Sequence, residues 1–409
     1  MENNFDELIE RRGTNCVKWD EEVHSQAGTA PREDIIPLWV ADMDFQAAPA
    51  IREALRRRVE HGVFGYTVVG PEYYDAVIRW FHRRHQWTIR REEILYTTGV
   101  VPAMSVALKA LTMPGERVLI LSPDYNCIFS SIRNNGCEVL ESVLVREEHT
   151  TETAAATAST PHSPFKIDWQ DFEAKCADEK TTVFLLCNPH NPTGRVWTKA
   201  ELMHMNDICL RHGVKVVSDE IHCELIMPGH RFQPFAAVSE QCRQNSVILN
   251  SPSKSFNIAG LQIANIVCSQ PDWRRRLDRA ININEVCDVN PFGPVATVAA
   301  YDESEEWIDQ LNQYLWDNYQ ALEAFTDEHL PQWHVCPLEG TYLVWVDISA
   351  TGRTASEYAD RLLSDAGVWV NPGTMYGTQS GEGYIRLNIA CPRSRLMTAL
   401  ERISVSAAI

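Results

Sequence analysis

Four polar runs in this 409-residue chain each follow a short β-branched apolar run. Thr182–Cys187 leads into Asn188-Pro-His-Asn191-Pro-Thr-Gly194, and Val214–Ser218 into Asp219-Glu-Ile-His222. Ser246–Asn250 leads into Ser251-Pro-Ser253-Lys254-Ser-Phe-Asn, and Arg117–Leu121 into Ser-Pro-Asp-Tyr125. Upstream, Thr97-Thr-Gly99-Val100-Val101-Pro102 precedes a run of helical period from Ala103 to Leu111. Ligands of open α/β sheets bind outside the carboxyl ends of the strands. One rim would therefore gather an amide, a carboxylate, an imidazole, an amine, hydroxyls and a phenol. A glycine turn into a helix start adds free N–H groups and a favourable dipole for a phosphate.

Singly, these residues have plain explanations: a lysine after a strand is a solvated end, and an aspartate there is a helix cap. Together they describe a site for pyridoxal phosphate: a phosphate cradle, an amine for a Schiff base, a carboxylate for a pyridinium nitrogen and donors for a phenolate oxygen. The carboxylate keeps the ring nitrogen protonated, so that the ring accepts carbanion density. The lysine must lose its proton to act as nucleophile and base, which a partly desolvated site favours.

The elements that must hold these residues alternate between strand and helix, which predicts βαβ units and a mostly parallel, buried sheet. Thr198-Lys-Ala-Glu201 is a capping box that starts a helix running to about His212, ended by Gly213. After about residue 290 the texture changes. Glu305–Glu328 carries Trp307, Leu311, Leu315, Leu322 and Phe325 at helical spacing. Thr341–Asp347, a helix near Glu357–Ala366, and Tyr384–Ile389 complete an α+β layout, a second and smaller domain. Residues 147–164 are low in complexity and read as a surface insertion. No repeat is seen at periods of 20–50 residues.

Composition excludes several classes. The net charge is −18, with only short basic runs at Arg56–Arg58 and Arg274–Arg276, which argues against nucleic-acid binding. No apolar stretch is long enough for a membrane span, and the acidic start lacks a signal-peptide core. Twelve cysteines without a Cys-x-x-Cys pair read as reduced core thiols of a cytoplasmic protein, and the short spacings of a zinc site are absent, so no metal is expected.

With these motifs in order and at these spacings, the sequence resembles the fold-type I pyridoxal phosphate enzymes of the class I/II aminotransferase group. It looks most similar to the MalY/PatB-type cystathionine β-lyases, or C–S lyases, from Trp39-Val-Ala-Asp-Met-Asp-Phe to Tyr384-Ile-Arg386-Leu-Asn-Ile-Ala-Cys-Pro-Arg-Ser. The resemblance implies an α/β large domain (49–289) with a mostly parallel seven-stranded sheet, a small α+β domain (290–409), and an N-terminal segment (1–48) packing with the latter. It implies that Lys254 forms the Schiff base, Asp219 pairs with the pyridine nitrogen, Asn191 and His222 address the ring hydroxyl, and Tyr125 stacks on the ring. Ser251, Ser253 and the N–H groups of Gly99, Val100 and Val101 would hold the phosphate. Tyr66 would reach the phosphate of a neighbouring subunit, so a homodimer follows, and Arg386 would grip the substrate carboxylate. Gln262 stands where many aminotransferases have a phosphate-binding arginine, and His222 where they commonly have a tyrosine; both departures fit the lyase-like group.

Plain roles compete at several positions: Tyr66 packing in its own turn, Ser253 as a cap, His222 as a core histidine, Asn188 as a turn residue. Core packing competes with lining the substrate pocket at Trp39, Trp345 and Trp369, and loop solvation with a place at the pocket mouth at Asp42 and Asp44. The implied reaction is α,β-elimination from L-cystathionine or a related S-substituted L-cysteine, with Lys254 as base. A transaminase is the first alternative. A cofactor-bound regulatory or interaction protein with incidental lyase activity is the second.

Overall fold

The computed structural model describes residues 3–20, 34–147, 163–283 and 288–407. Its main sheet has seven strands: β1 (Ile94–Thr97), β2 (Arg117–Ser122), β3 (Glu138–Val143), β4 (Thr181–Cys187), β5 (Lys215–Asp219), β6 (Ser246–Asn250) and β7 (Ala264–Cys268), in the order β1-β7-β6-β5-β4-β2-β3. The strands from β6 through β3 pair in parallel, whereas β7 runs antiparallel to both β6 and β1. Two reversals return β1 to the common direction, so its carboxyl end shares a rim with those of β6, β5, β4 and β2. The middle strands have apolar centres with polar residues at their ends and are almost wholly buried, as expected of strands covered on both faces.

The helices start where their caps dictate. Thr198 accepts from Glu201 N while Glu201 reaches back to Thr198 N, so a helix runs over Lys199–Arg211 and the chain turns at Gly213 with φ 69°. Helices α1 (Pro49–His61) and α2 (Pro71–His85) pack against α3 (Phe292–Glu303). The amphipathic α4 (Glu305–His329) buries Trp307, Ile308, Leu311, Leu315 and Leu322.

A second sheet holds β8 (His334–Val335), β9 (Leu343–Asp347), β10 (Asn371–Pro372) and β11 (Tyr384–Asn388) in the antiparallel order β8-β9-β11-β10. The strand expected from Thr341 begins at Leu343, because Thr341 takes φ 70°. The helix expected to Ala366 ends at Arg361 and continues as a wider turn, Leu362–Ala366. Near the amino end, Ile36–Pro37 pairs in parallel with Val368–Trp369. Most of the 147–164 stretch lies outside the described residues; its base is closed by the antiparallel pairs Val145↔Lys166 and Arg146↔Phe165.

Among the described residues, no helix is long and apolar enough to cross a membrane, and the eleven cysteines are free thiols, most of them buried.

Candidate active site

The order of the strands orders the chemistry. β6, β5, β4 and β2 are consecutive, and their carboxyl ends lead to Lys254, to Asp219 and His222, to Asn191, and to Tyr125. Lys254 lies in the one-turn helix Pro252–Ser255, which Ser251 caps by accepting from Ser253 N at 3.1 Å. Its Nζ donates to the Ala41 carbonyl at 2.5 Å, and the Tyr342 hydroxyl donates to the same oxygen at 2.9 Å. Asp219 closes β5, and its Oδ1 accepts from Ile221 N at 3.1 Å. The same turn buries His222, whose ring stands edge-on to Tyr342, with Nδ1 lacking a hydrogen bond. The loop that carries Asn191 turns at Gly194 (φ 72°), where a Cβ would come within 2.9 Å of Leu338.

Arg386 joins the two sheets. It sits mid-β11 between Trp345 of β9 and Asn371 of β10, only 3% exposed. Nη1 donates to Asn191 Oδ1 at 3.0 Å and Nη2 to the Trp39 carbonyl at 2.9 Å, while Nε has no partner. Its guanidinium lies 4.6 Å from the Tyr376 ring centre.

The segment 38–45 forms the opposite wall and is held through its backbone. Asn388 donates from its backbone to Leu38 O and from Nδ2 to Val40 O and Asp42 O. Asn371 Nδ2 reaches Trp39 O, and Asn257 Nδ2 reaches Met43 O and Phe45 O. Counting Arg386 on Trp39 and Lys254 and Tyr342 on Ala41, every carbonyl from Leu38 to Met43 accepts a hydrogen bond.

Burial sets the protonation of the rim. It lowers the Lys254 ammonium; Arg386 pushes the same way, while Asp42 and Asp219 oppose. It pushes Asp219 up to about 7, against the Ile221 N–H and Lys254. It drives His222 down to about 3, with Lys254 and Arg386 adding to it, so the imidazole is neutral at ordinary pH. Asp124, beside Tyr125, is raised well above the carboxylate range by burial, opposed by the Tyr125 N–H and aided by Asp219.

Other expected residues are placed as follows. Gly99 starts the helix Val100–Leu111, where no side chain caps the free N–H groups of the first turn. The Ser251 hydroxyl donates to Ile263 O at 2.6 Å, so it must turn before it can serve a phosphate. Ser253 is partly exposed, and Gln262 is exposed with φ 52°. Tyr66 is 99% exposed, next to exposed Val63, Phe64 and Val68. Trp345 is core, but Trp39 and Trp369 are half-exposed and stack on each other at 4.6 Å. Asp44 is no solvated loop residue: it is buried among Arg11, Lys18 and Arg395. Sequence reasoning missed Tyr342, Tyr376 and the Ala41 carbonyl. Tyr342 directly precedes an apolar strand and looks like more core; a backbone carbonyl leaves no trace in residue types.

An amine of lowered basicity, a strand-end carboxylate, an unpartnered imidazole nitrogen and an uncapped helix start together fit pyridoxal phosphate. Residues 33–403 match the family described as aminotransferase class I and II, and the chain belongs to that family. It is 39% identical over 403 residues to cystathionine beta-lyase PatB of Bacillus subtilis (strain 168), a match spanning 98% of this chain and 99% of that protein. Among solved structures it is similar to a PLP-bound putative aminotransferase from Clostridium difficile 630, at TM-score 0.91 and 38% identity over 99% of this chain and 100% of that one. It is similar also to cystalysin from Treponema denticola, whose structure contains pyridoxal 5'-phosphate, at TM-score 0.92 and 32% identity over 100% and 99%.

Proposed function

We propose that the protein is a pyridoxal-phosphate-dependent C–S β-lyase that splits L-cystathionine or related S-substituted L-cysteines into a thiol, pyruvate and ammonia. The observation that carries this reading is the Lys254 amine, of lowered basicity, on one rim with Asp219, His222 and the buried Arg386. The preference for elimination over transamination rests on the full-length similarity to PatB. Residues 49–289 and 290–409 act as large and small domains, with 1–48 packed on the smaller.

When bound, the cofactor supplies an electron sink for the charge left at the substrate Cα. Lys254 holds the cofactor and then, as a free amine, takes the Cα proton at Nζ; its lowered pKa enlarges the neutral fraction. Asp219 would pair with the ring nitrogen, and a cation there would draw its pKa back down. Asn191 and neutral His222 would address the ring hydroxyl, and Tyr125 would stack on the ring. Gly99, Val100, Val101, Ser251 and Ser253 would hold the phosphate. Arg386 offers a planar fork to the α-carboxylate, exchanging its bonds to Asn191 and Trp39 for it. Tyr66 completes the site of a second copy in a homodimer; its exposure within an apolar stretch supports burial against that copy. Free thiols throughout the described residues support a cytoplasmic setting.

The test is purified holoenzyme with L-cystathionine and no 2-oxo acid. Equal release of pyruvate and thiol over many turnovers is expected. Amino-group transfer on adding a 2-oxo acid, with neither product released, would make the protein a transaminase instead.

A further inference from the structure

The residues after His222 turn away from the chemistry assigned above. Cys223 and Glu224 are both buried and meet His85 at the carboxyl end of α2. One ligand atom from each of the three lies within 4.8 Å of the other two. His85 Nε2 is 2.6 Å and Cys223 Sγ 3.6 Å from Glu224 Oε1. Trp80 Nε1 donates to Oε1 at 2.7 Å and fixes the carboxylate. Its buried Oε2 makes no hydrogen bond, with Arg84 Nε 3.6 Å away.

A cavity of about 480 Å³ is lined by all three residues and gives a path from solvent. Glu305 and Asp309 also line it, and they pair with Arg83 at 2.6 Å and Arg84 at 2.8 Å, offsetting two of the three arginines along the approach, the third being Arg231. An imidazole, a thiol and a carboxylate are the ligand types of zinc; hard ions such as magnesium and calcium take oxygen ligands.

We propose that His85, Cys223 and Glu224 form a binding site for a zinc-class divalent ion, with a fourth position open to the cavity. Short ligand spacings do not announce it, because His85 and Glu224 are 139 residues apart in the chain. An ion there ties the end of α2 to the turn that carries His222.

Holoenzyme stripped with a chelator is titrated with Zn²⁺, and zinc per chain is counted after gel filtration. One ion per chain is expected, with affinity falling by more than about tenfold in Cys223→Ser and in His85→Gln. Cys127→Ser, which alters the partly exposed thiol near Tyr125, should bind like the parent. Retained cofactor absorbance shows that each variant is folded, and if Cys223→Ser loses it, His85→Gln decides. Absence of stoichiometric zinc, unchanged affinity in the folded variants, or loss of binding in Cys127→Ser overturns the proposal.

Discussion

Asp44 and Asp219 are both aspartates, 1% and 4% exposed, yet they shift in opposite directions. Burial raises both. At Asp44 it is overcome: Lys18 at 3.2 Å, Arg11 at 2.7 Å, Arg395 at 3.1 Å and the Trp19 N–H at 2.9 Å hold the carboxyl below its usual value. At Asp219 burial wins, because one backbone N–H and a more remote lysine oppose it. The chain matches the first charge from within and leaves the second largely unmatched. A matched buried charge anchors the amino-terminal segment; an unmatched one stands ready for a ligand.

Substitutions should separate the two. Lys254→Ala is expected to lower turnover by at least about 10³-fold with little change in melting temperature; thiol release against a thermal melt reads both. Asp44→Ala should do the reverse, costing about 3–5 kcal/mol of stability by stranding buried cations, while the kcat of the folded holoenzyme stays close to that of the parent. A collapse of kcat without loss of stability would dissolve the distinction.

Asp219→Asn sharpens it through pH. A carboxyl raised from 3.8 to about 7 binds its proton more tightly in the folded chain. Its contribution to stability is therefore full below pH 3.8 and fades as pH rises through 7. Cofactor-free parent and variant should melt alike near pH 4 and diverge toward pH 8, the variant being more stable by at most about 4 kcal/mol. Loading the parent with cofactor should flatten its own pH dependence; a parallel pair of curves would show that Asp219 is already matched.

How much of this could be read from residues alone depends on the range of the interactions. The strands are short apolar runs bounded by turn residues, and the Thr198 box is local, so these were legible. So was the rim, because polar residues directly after parallel strands must share an edge. Arg386 beside Asn191 needed the resemblance, since 195 residues separate them. The Asp44 cluster was not legible, because its cations come from Arg11, Lys18 and Arg395, at both ends of the chain. Trp39 and Trp369 read as core because aromatic side chains in apolar runs usually are; instead they stack on each other across two segments and stay half-exposed.

The wall at 38–45 has a bearing on descent and redesign. Its anchors, Asn257, Asn371, Asn388 and Arg386, grip peptide oxygens, which every amino acid supplies. Substitution at Trp39, Val40 or Ala41 therefore resurfaces the wall without removing an anchor. The outward side chains can therefore vary while the backbone path that meets Lys254 and Arg386 is kept.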